Sequence, residues 1–302
     1  MAEDGLHGIL LVDKPAGMTS AGVVREVKKR LRVAKVGHLG TLDPFATGLL
    51  PICLGEGAKI VPYLNEEEKV YSGTIRLGVA TDTLDPTGRP TATAAVPSIG
   101  EEALAAVACR FVGEIEQVPP MYSALKRQGV PLYELARRGI EVERPARRVR
   151  IDSLRLEPAG EGLIRFSVHC SKGTYVRTLA ADLAASLGTV GHLETLRREA
   201  FGSFTISAAV KLEGILPGAE LPLVSLRQAL ASLRELPADS FLVGRIRLGQ
   251  QWSLASLPSP RSADEIAKIV ASSGNLVALI GADGESWKIL RVFAPLSVSP
   301  LS

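Results

Sequence analysis

Residues 37–59 read GHLGTLDPFATGLLPICLGEGAK. The stretch carries one carboxylate near its centre, Asp43, and one near its end, Glu56. Gly, Pro, Thr and apolar residues fill the space between. Asp before Pro is an ordinary turn pair, because the short carboxylate can hydrogen-bond the backbone just ahead of it. The flanks add to this. Gly37, Gly40 and Gly48 permit unusual backbone angles and close approach of another chain. The run GLLPICLG reads as a buried strand that ties the loop to a core. The pattern is a loop that presents one charge from a rigid base.

Working outward, GILLVDKPAGMTS (8–20) reads as a buried strand followed by a turn, with Ser20 as cap of the next helix. In that helix Val24, Val27 and Leu31 share a stripe. Its other face is basic, with six Lys/Arg and one Glu between Arg25 and Lys35. KVYSGTIRLG (69–78) alternates Tyr71, Gly73, Ile75 and Leu77 onto one face and predicts a strand. A turn or loop follows at 81–90, and a helix at 101–112. Strands are expected at 151–156 and 163–170. A helix then carries Val176, Leu179, Leu183 and Leu187 on one side. Near residue 237 the periodicity lapses. Short apolar runs separated by Gly and Ser-Pro turns then suggest a small β-barrel-like module over 238–302.

The totals bound the class. A chain of 302 residues, 46% hydrophobic and 22% charged, is an ordinary globular composition, long enough for one large domain and a small one. The net charge of +3 hints weakly at a polyanionic partner, and the distribution says more. From Lys126 to Arg150 there are eight Lys/Arg against three Glu. Two such basic stretches favour a phosphate backbone as partner. The three cysteines, Cys53, Cys109 and Cys170, are odd in number and far apart, which argues against a disulfide framework or a zinc site. The first residues show no signal peptide, and no apolar run is long enough to span a bilayer. A reduced cytoplasmic protein is expected.

The common chemical motifs are missing: GxxxxGK[ST], a dinucleotide fingerprint, GxSxG and HExxH. The four histidines, His7, His38, His169 and His192, are scattered. Chemistry without a metal or an organic cofactor is expected. Taken singly, Tyr71 and Tyr175 read as packing residues and Arg177 as a surface charge.

Taken together, the segments resemble one family, the bacterial tRNA pseudouridine-55 synthases of the TruB type. The opening stretch is similar to that family's signature GH-x-G-x-LDP-x-A-x-G-x-LP. DKPAGMTS resembles its N-terminal motif, and KVYSGTIRLGVATDTLDPTG its tyrosine strand. VPPMYSALKRQGVPLYELARRG resembles its RNA-gripping insertion, placed here at about 119–150. CSKGTYVRTLAADL and GHLETLRR (191–198) complete the order. One departure is Leu39, where the family usually has a small residue such as Thr or Gly. It bears on the loop's shape and not on the chemistry.

The resemblance implies an α+β fold: a mixed, largely antiparallel sheet with flanking helices over residues 1–237, plus a β-rich PUA-like module over 238–302. It implies isomerisation of a uridine in the T loop of tRNA. The base is detached at its C1′–N1 bond, rotated and rejoined through C5, with no cofactor. Asp43 is then the catalytic carboxylate, acting either as a nucleophile at C1′ or as a base at C2′. Arg177 pairs with it and is expected to hold it ionised. The base must be flipped out of its stack. Tyr71 stacks on it, Tyr175 closes the pocket wall, and His38 fills the space it leaves. Leu196 lines the pocket, and Lys14 and Lys59 are supporting basic residues. Glu56 is structural. The C-terminal module either contacts the acceptor stem or is an appendage.

The expected partner is the tRNA T stem-loop, met by a monomer without guide RNA or membrane. Two rivals remain: a tRNA-folding chaperone whose catalysis is secondary, and a guide-dependent relative. The 119–150 insertion argues against the second.

Overall fold

The computed structural model describes residues 5–64 and 68–295. Residues 1–4, read above for a signal peptide, lie outside the described residues. No described helix is long and apolar enough to cross a membrane.

The first strand, β1 (Gly8–Lys14), is almost wholly buried and leads through the Pro-Gly turn into helix α1 (Ser20–Leu31). The cap of α1 is Thr19, whose side chain accepts from the Gly22 N–H, and not Ser20. Ser20 is already helical, and its hydroxyl is committed to Leu42. The buried stripe runs through Ser20, Val23, Val27 and Leu31, with Val24 half-exposed. Val27 and Leu31 keep their expected place, and Val23 takes the position expected of Val24, because i, i+4, i+8 spacing follows the stripe as well as i, i+3, i+7.

Strand β2 (Val36–His38) pairs with β3 (Thr47–Leu54), and the Asp43 loop joins them. β3 is apolar on both faces because it is covered on both. One side meets α1, and the other meets residues near the C-terminus. β4 (Lys69–Leu77) alternates as its sequence predicts, with Tyr71, Ile75 and Leu77 turned inward.

These strands belong to an 11-stranded sheet among the described residues. Its path runs Val210–Lys211, β1, β3, Gly191–Phe201, β4, Leu163–Cys170, Arg147–Pro158, Gly113–Gln117. Gly191–Phe201 runs parallel to β3, and Val210–Lys211 parallel to β1; the other pairs on the path are antiparallel. The sheet is therefore mixed and largely antiparallel. The helices Glu101–Phe111 and Val176–Ser186 pack one face of its centre around Leu104, Val107, Leu179 and Leu183. That packing sets the start of Val176–Ser186 against the Asp43 loop.

A second sheet has the order Arg234–Ala238, Ile266–Ala271, Leu276–Asp283, Ser286–Val292, with the first pair parallel. Among the described residues it is an open sheet, since its edge strands Arg234–Ala238 and Ser286–Val292 do not pair, rather than the barrel-like module the turns suggested. The stretch 240–256 explains the difference. It forms a helix, Ser240–Arg247, and a 3-10 turn, Gln251–Ser256, which cover the sheet where further strands would close it. Leu276, Leu279 and Phe293 leave this module and share a core with Ile9, Leu11 and Leu39 of the first sheet.

Candidate active site

The Asp43 loop is fastened from below by residues 14–20. The Ser20 hydroxyl donates to the Leu42 carbonyl (3.1 Å) and accepts from the Leu42 N–H (2.9 Å). The Gly17 N–H donates to Pro44 O at 2.8 Å. The Lys14 ammonium, fully buried, donates to the carbonyls of Pro15, Met18 and Pro44. This explains much of the DKPAGMTS motif: Lys14 and Ser20 satisfy backbone groups around the acid, while Thr19 caps the helix. Lys14 acts through the loop's backbone and faces Asp43 as a buried charge. Burial pulls its pKa down to about 8, Asp43 raising it and Arg198 lowering it further.

Arg177 enters from the first turn of the helix Val176–Ser186. Its Nε lies 2.9 Å from Asp43 Oδ2, and its Nη2 donates to Oδ1 at 3.3 Å. It also donates to the carbonyls of Thr83 (3.0 Å) and Tyr122 (2.7 Å) and pairs with Asp85 at 3.5 Å. The Arg177 side chain is 7% exposed and that of Asp43 is 32% exposed, so the guanidinium forms the floor and the carboxylate opens outward. A planar fork on a carboxylate fixes direction as well as charge.

The pairing expected from the sequence is present and Arg177 favours the ionised form as expected, but burial outweighs it. The Asp43 carboxyl is held above the usual aspartate range. Burial is the largest cause, Arg177 and Lys14 oppose it, and the second carboxylate, Asp85, adds to it. Burial outweighs the guanidinium, whose charge is also shared with Asp85.

Tyr71 is buried at 9% exposure and packs in the cluster that holds Leu42, Ala46 and Leu196. Leu196 lies across from Gly73, and Arg198 across from Tyr71. The two expected pocket residues thus stand on adjoining strands beside the loop. Burial raises the Tyr71 phenol, and Arg198 opposes it. Tyr175 is half-buried and precedes the Arg177 helix. Its peptide is clamped by Gln117, which accepts from the Tyr175 N–H (3.0 Å) and donates to its carbonyl (3.4 Å). Burial raises its phenol too.

His38 ends β2, across from Ile52. Burial, aided by Arg198, lowers its pKa, so the neutral imidazole is favoured. Its Nδ1 is buried without a hydrogen-bond partner. Leu39, the departure from the family pattern, is fully buried beside Phe201 and Phe204. It turns away from solvent and serves the core.

Lys59 does not join this group. Its ammonium bonds Glu56 (2.6 Å) and the Val292 carbonyl (3.0 Å) and lies over the Phe293 ring. Glu56 in turn accepts from the Ala294 N–H at 3.0 Å. The pair fastens the end of the last strand to the turn after β3. Glu56 has the structural part expected of it, and Lys59 shares that part.

The basic stretch also divides. On the strand Arg147–Pro158, Arg147 shares a face with buried Val149 and Ile151, and its charge reaches Tyr175. Arg148 and Arg150 alternate to the other face, where Arg150 pairs with Glu68 and Asp152. Among the described residues, one His/Asp/Glu group comes within metal-ligand reach: Glu68, Asp152 and His169. Arg150 already pairs with both of its carboxylates.

Sequence reasoning missed Asp85, Gln117 and Arg198. Asp85 had a signal: TLDP occurs at 41–44 and again at 83–86. The second copy is a buried turn, where Asp85 accepts from the Thr83 hydroxyl (2.7 Å) and the Thr87 N–H (3.0 Å). Arg198 closes the GHLETLRR motif without standing out from Arg197 beside it, and Gln117 gave no comparable sign.

The family model described as TruB family pseudouridylate synthase (N terminal domain) matches residues 28–176. A tRNA pseudouridine synthase B of Geobacter sulfurreducens is 41% identical over 303 residues, spanning 95% of this chain and 100% of that protein. One of Hydrogenovibrio crunogenus is 50% identical over 210 residues, 70% of this chain and 69% of that protein. Among solved structures, a Cbf5-Nop10-Gar1 complex chain aligns with a TM-score of 0.72 at 24% identity, covering 96% of this chain and 86% of that one. That likeness shows a shared fold.

Proposed function

We propose, from the premise that the chain belongs to the TruB family of pseudouridylate synthases, that the Asp43 cluster is the centre at which uridine 55 of the tRNA T loop is isomerised. The chain is a tRNA pseudouridine synthase, an isomerase. The observation that carries the site assignment is the two-point grip of Arg177 on Asp43 beside the apolar cluster that holds Leu42, Ala46, Tyr71 and Leu196.

The chemistry fits one carboxylate. The N1–C1′ bond breaks and a C5–C1′ bond forms. The C5 hydrogen leaves to solvent and N1 takes up a proton, so nothing is oxidised or reduced. Asp43 serves either by attacking C1′ or by taking the C2′ proton; both need it ionised and aimed, which Arg177 and the Ser20, Gly17 and Lys14 contacts achieve. The uracil reaches the acid after being flipped out. Tyr71 and Leu196 offer it a hydrophobic wall, Tyr175 the opposite side, and the unpartnered Nδ1 of His38 suits an RNA group at the vacated stack.

The second sheet, whose first strand Arg234–Ala238 spans the boundary expected near residue 237, serves as a PUA-like RNA-binding module. In support, Phe241 and Trp252 are 64% and 63% exposed, and the Arg245 guanidinium lies 4.9 Å and 5.4 Å from their ring centroids. Exposed aromatic and guanidinium planes are what stacked bases use. The enzyme works in the cytoplasm as a monomer, without guide RNA.

The test compares wild type with Asp43→Asn on tRNA tritiated at uridine C5. Release by wild type alone is the expected result. Tight binding with no release by either protein would favour a folding chaperone.

A further inference from the structure

We propose that Arg198 is a positioning residue, a buried guanidinium that holds the Asp43 loop and Tyr71 in their working relation. The inference rests on the reading of those two residues given above.

Arg198 is the largest fully buried side chain among the described residues, at 1% exposure. It sits on the strand Gly191–Phe201, between β3 and β4. Its Cα partners are Gly48 on one side and Tyr71 on the other. Its Nε donates to the Leu49 carbonyl at 2.7 Å. Its Nη2 donates to the Gly40 carbonyl at 2.9 Å and reaches Leu39 O at 3.4 Å. The same cation thus binds the loop ahead of Asp43 and the strand β3 that follows it. The Phe201 ring, 5.4 Å away, supports the guanidinium from the side.

Gly40, ahead of Asp43, leaves room for the guanidinium, and Gly48, after it, leaves room for the backbone of the strand that carries Arg198. Gly40 has φ +60°, and a Cβ there would lie 2.9 Å from Arg198 Nη1 and 2.8 Å from the Phe201 ring. Gly48 has φ +100°, and a Cβ there would lie 2.4 Å from the Arg198 carbonyl oxygen. No carboxylate pairs with Arg198 among the described residues. A guanidinium buried without an acid is a poor way to stabilise a core, where an apolar side chain of similar volume does as well or better. Its charge instead satisfies loop carbonyls and faces the Tyr71 phenol and the His38 imidazole.

The test uses the full chain and three variants: Arg198→Lys, Arg198→Met and, as a control, Arg197→Met. Arg197 is the next residue and points to the other face, where it pairs with Asp13. Tritium release from C5-labelled tRNA gives kcat and KM. Hydrogen exchange reports the loop without reference to activity.

For Arg198→Met, kcat is expected to fall about a hundredfold, the cost of a small misplacement of reacting groups. KM for tRNA should stay within about twofold of wild type. Arg198→Lys should recover about tenfold of the loss, because it keeps the charge but not the fork. Exchange should quicken at residues 39–49 and around Tyr71 and stay unchanged in the second sheet. Arg197→Met should match wild type in kcat.

Wild-type kcat in Arg198→Lys, or exchange that quickens evenly through the chain, overturns the proposal and leaves Arg198 a core staple. If Arg198→Met fails to fold, Arg198→Lys alone decides. Absence of release by wild type would defeat the functional reading, while the exchange pattern would still judge the position of Arg198.

Discussion

Arg177 holds both oxygens of Asp43, at 2.9 Å and 3.3 Å, and spends a third contact on Asp85 at 3.5 Å. One buried cation therefore serves two acids. Asp43 is aimed firmly but neutralised incompletely, and its pKa lies above the usual aspartate range.

The pH dependence follows from that direction. A raised pKa means the carboxylate forms at higher pH, so the acid limb of kcat should sit above the ordinary aspartate value. Asp85→Asn removes a like charge and leaves Arg177 to Asp43 alone. Its acid limb should move to lower pH. A pH–rate profile of both proteins checks this, and a limb that moves upward would reverse the assigned coupling.

Arg177→Ala should act on chemistry more than on affinity. It frees the carboxylate and leaves Asp43 and Asp85 without the cation they share, with Lys14 the remaining positive charge on Asp43. A loss of about a hundredfold or more in kcat is expected, the scale for a lost orienting contact. Steady-state kinetics with binding measured alongside separates the two effects. Unchanged turnover would count against the pairing.

Arg147→Ala should weaken tRNA binding and reduce the slope of log affinity against log salt by about one unit, as for one phosphate contact. Arg148→Ala, on the opposite face of the strand, should do neither. Filter binding across a salt series makes the comparison, and equal effects would show that the alternation does not sort these charges.

Lys59→Met should lower stability by about 1–3 kcal/mol, the range for hydrogen bonds to charged groups. Turnover at a permissive temperature should be unaffected. Thermal melting with kinetics below the transition tests it. A selective loss of kcat would return Lys59 to the site.

Much of this was legible in the sequence. Alternation gave β4, since a strand buried on one face must repeat every second residue. The i, i+3, i+7 spacing gave the helices, although the first of them starts one residue earlier than its polar residues suggested. The TruB resemblance supplied Asp43, Arg177 and Tyr71, and the fold brings these near one another. Local patterns of this kind are readable because secondary-structure geometry is periodic.

What the chain alone could not disclose was which charges meet. Lys14 and Lys59 look equivalent in the sequence, yet one lies buried under Pro44 and the other clasps Val292. Arg198 resembles its neighbour Arg197, and only the pleat sends it inward to Leu39, Gly40 and Leu49. The pKa of Asp43 was misjudged for the same reason: Arg177 was visible as a partner, but the burial and Asp85 were not. Sequence determined the strands and the helices, because those depend on neighbours along the chain, and the family resemblance is what pointed to Asp43 as the acid. The protonation of that acid and the choice of cation beside it depend on distance and on excluded water, and both are set when remote segments pack.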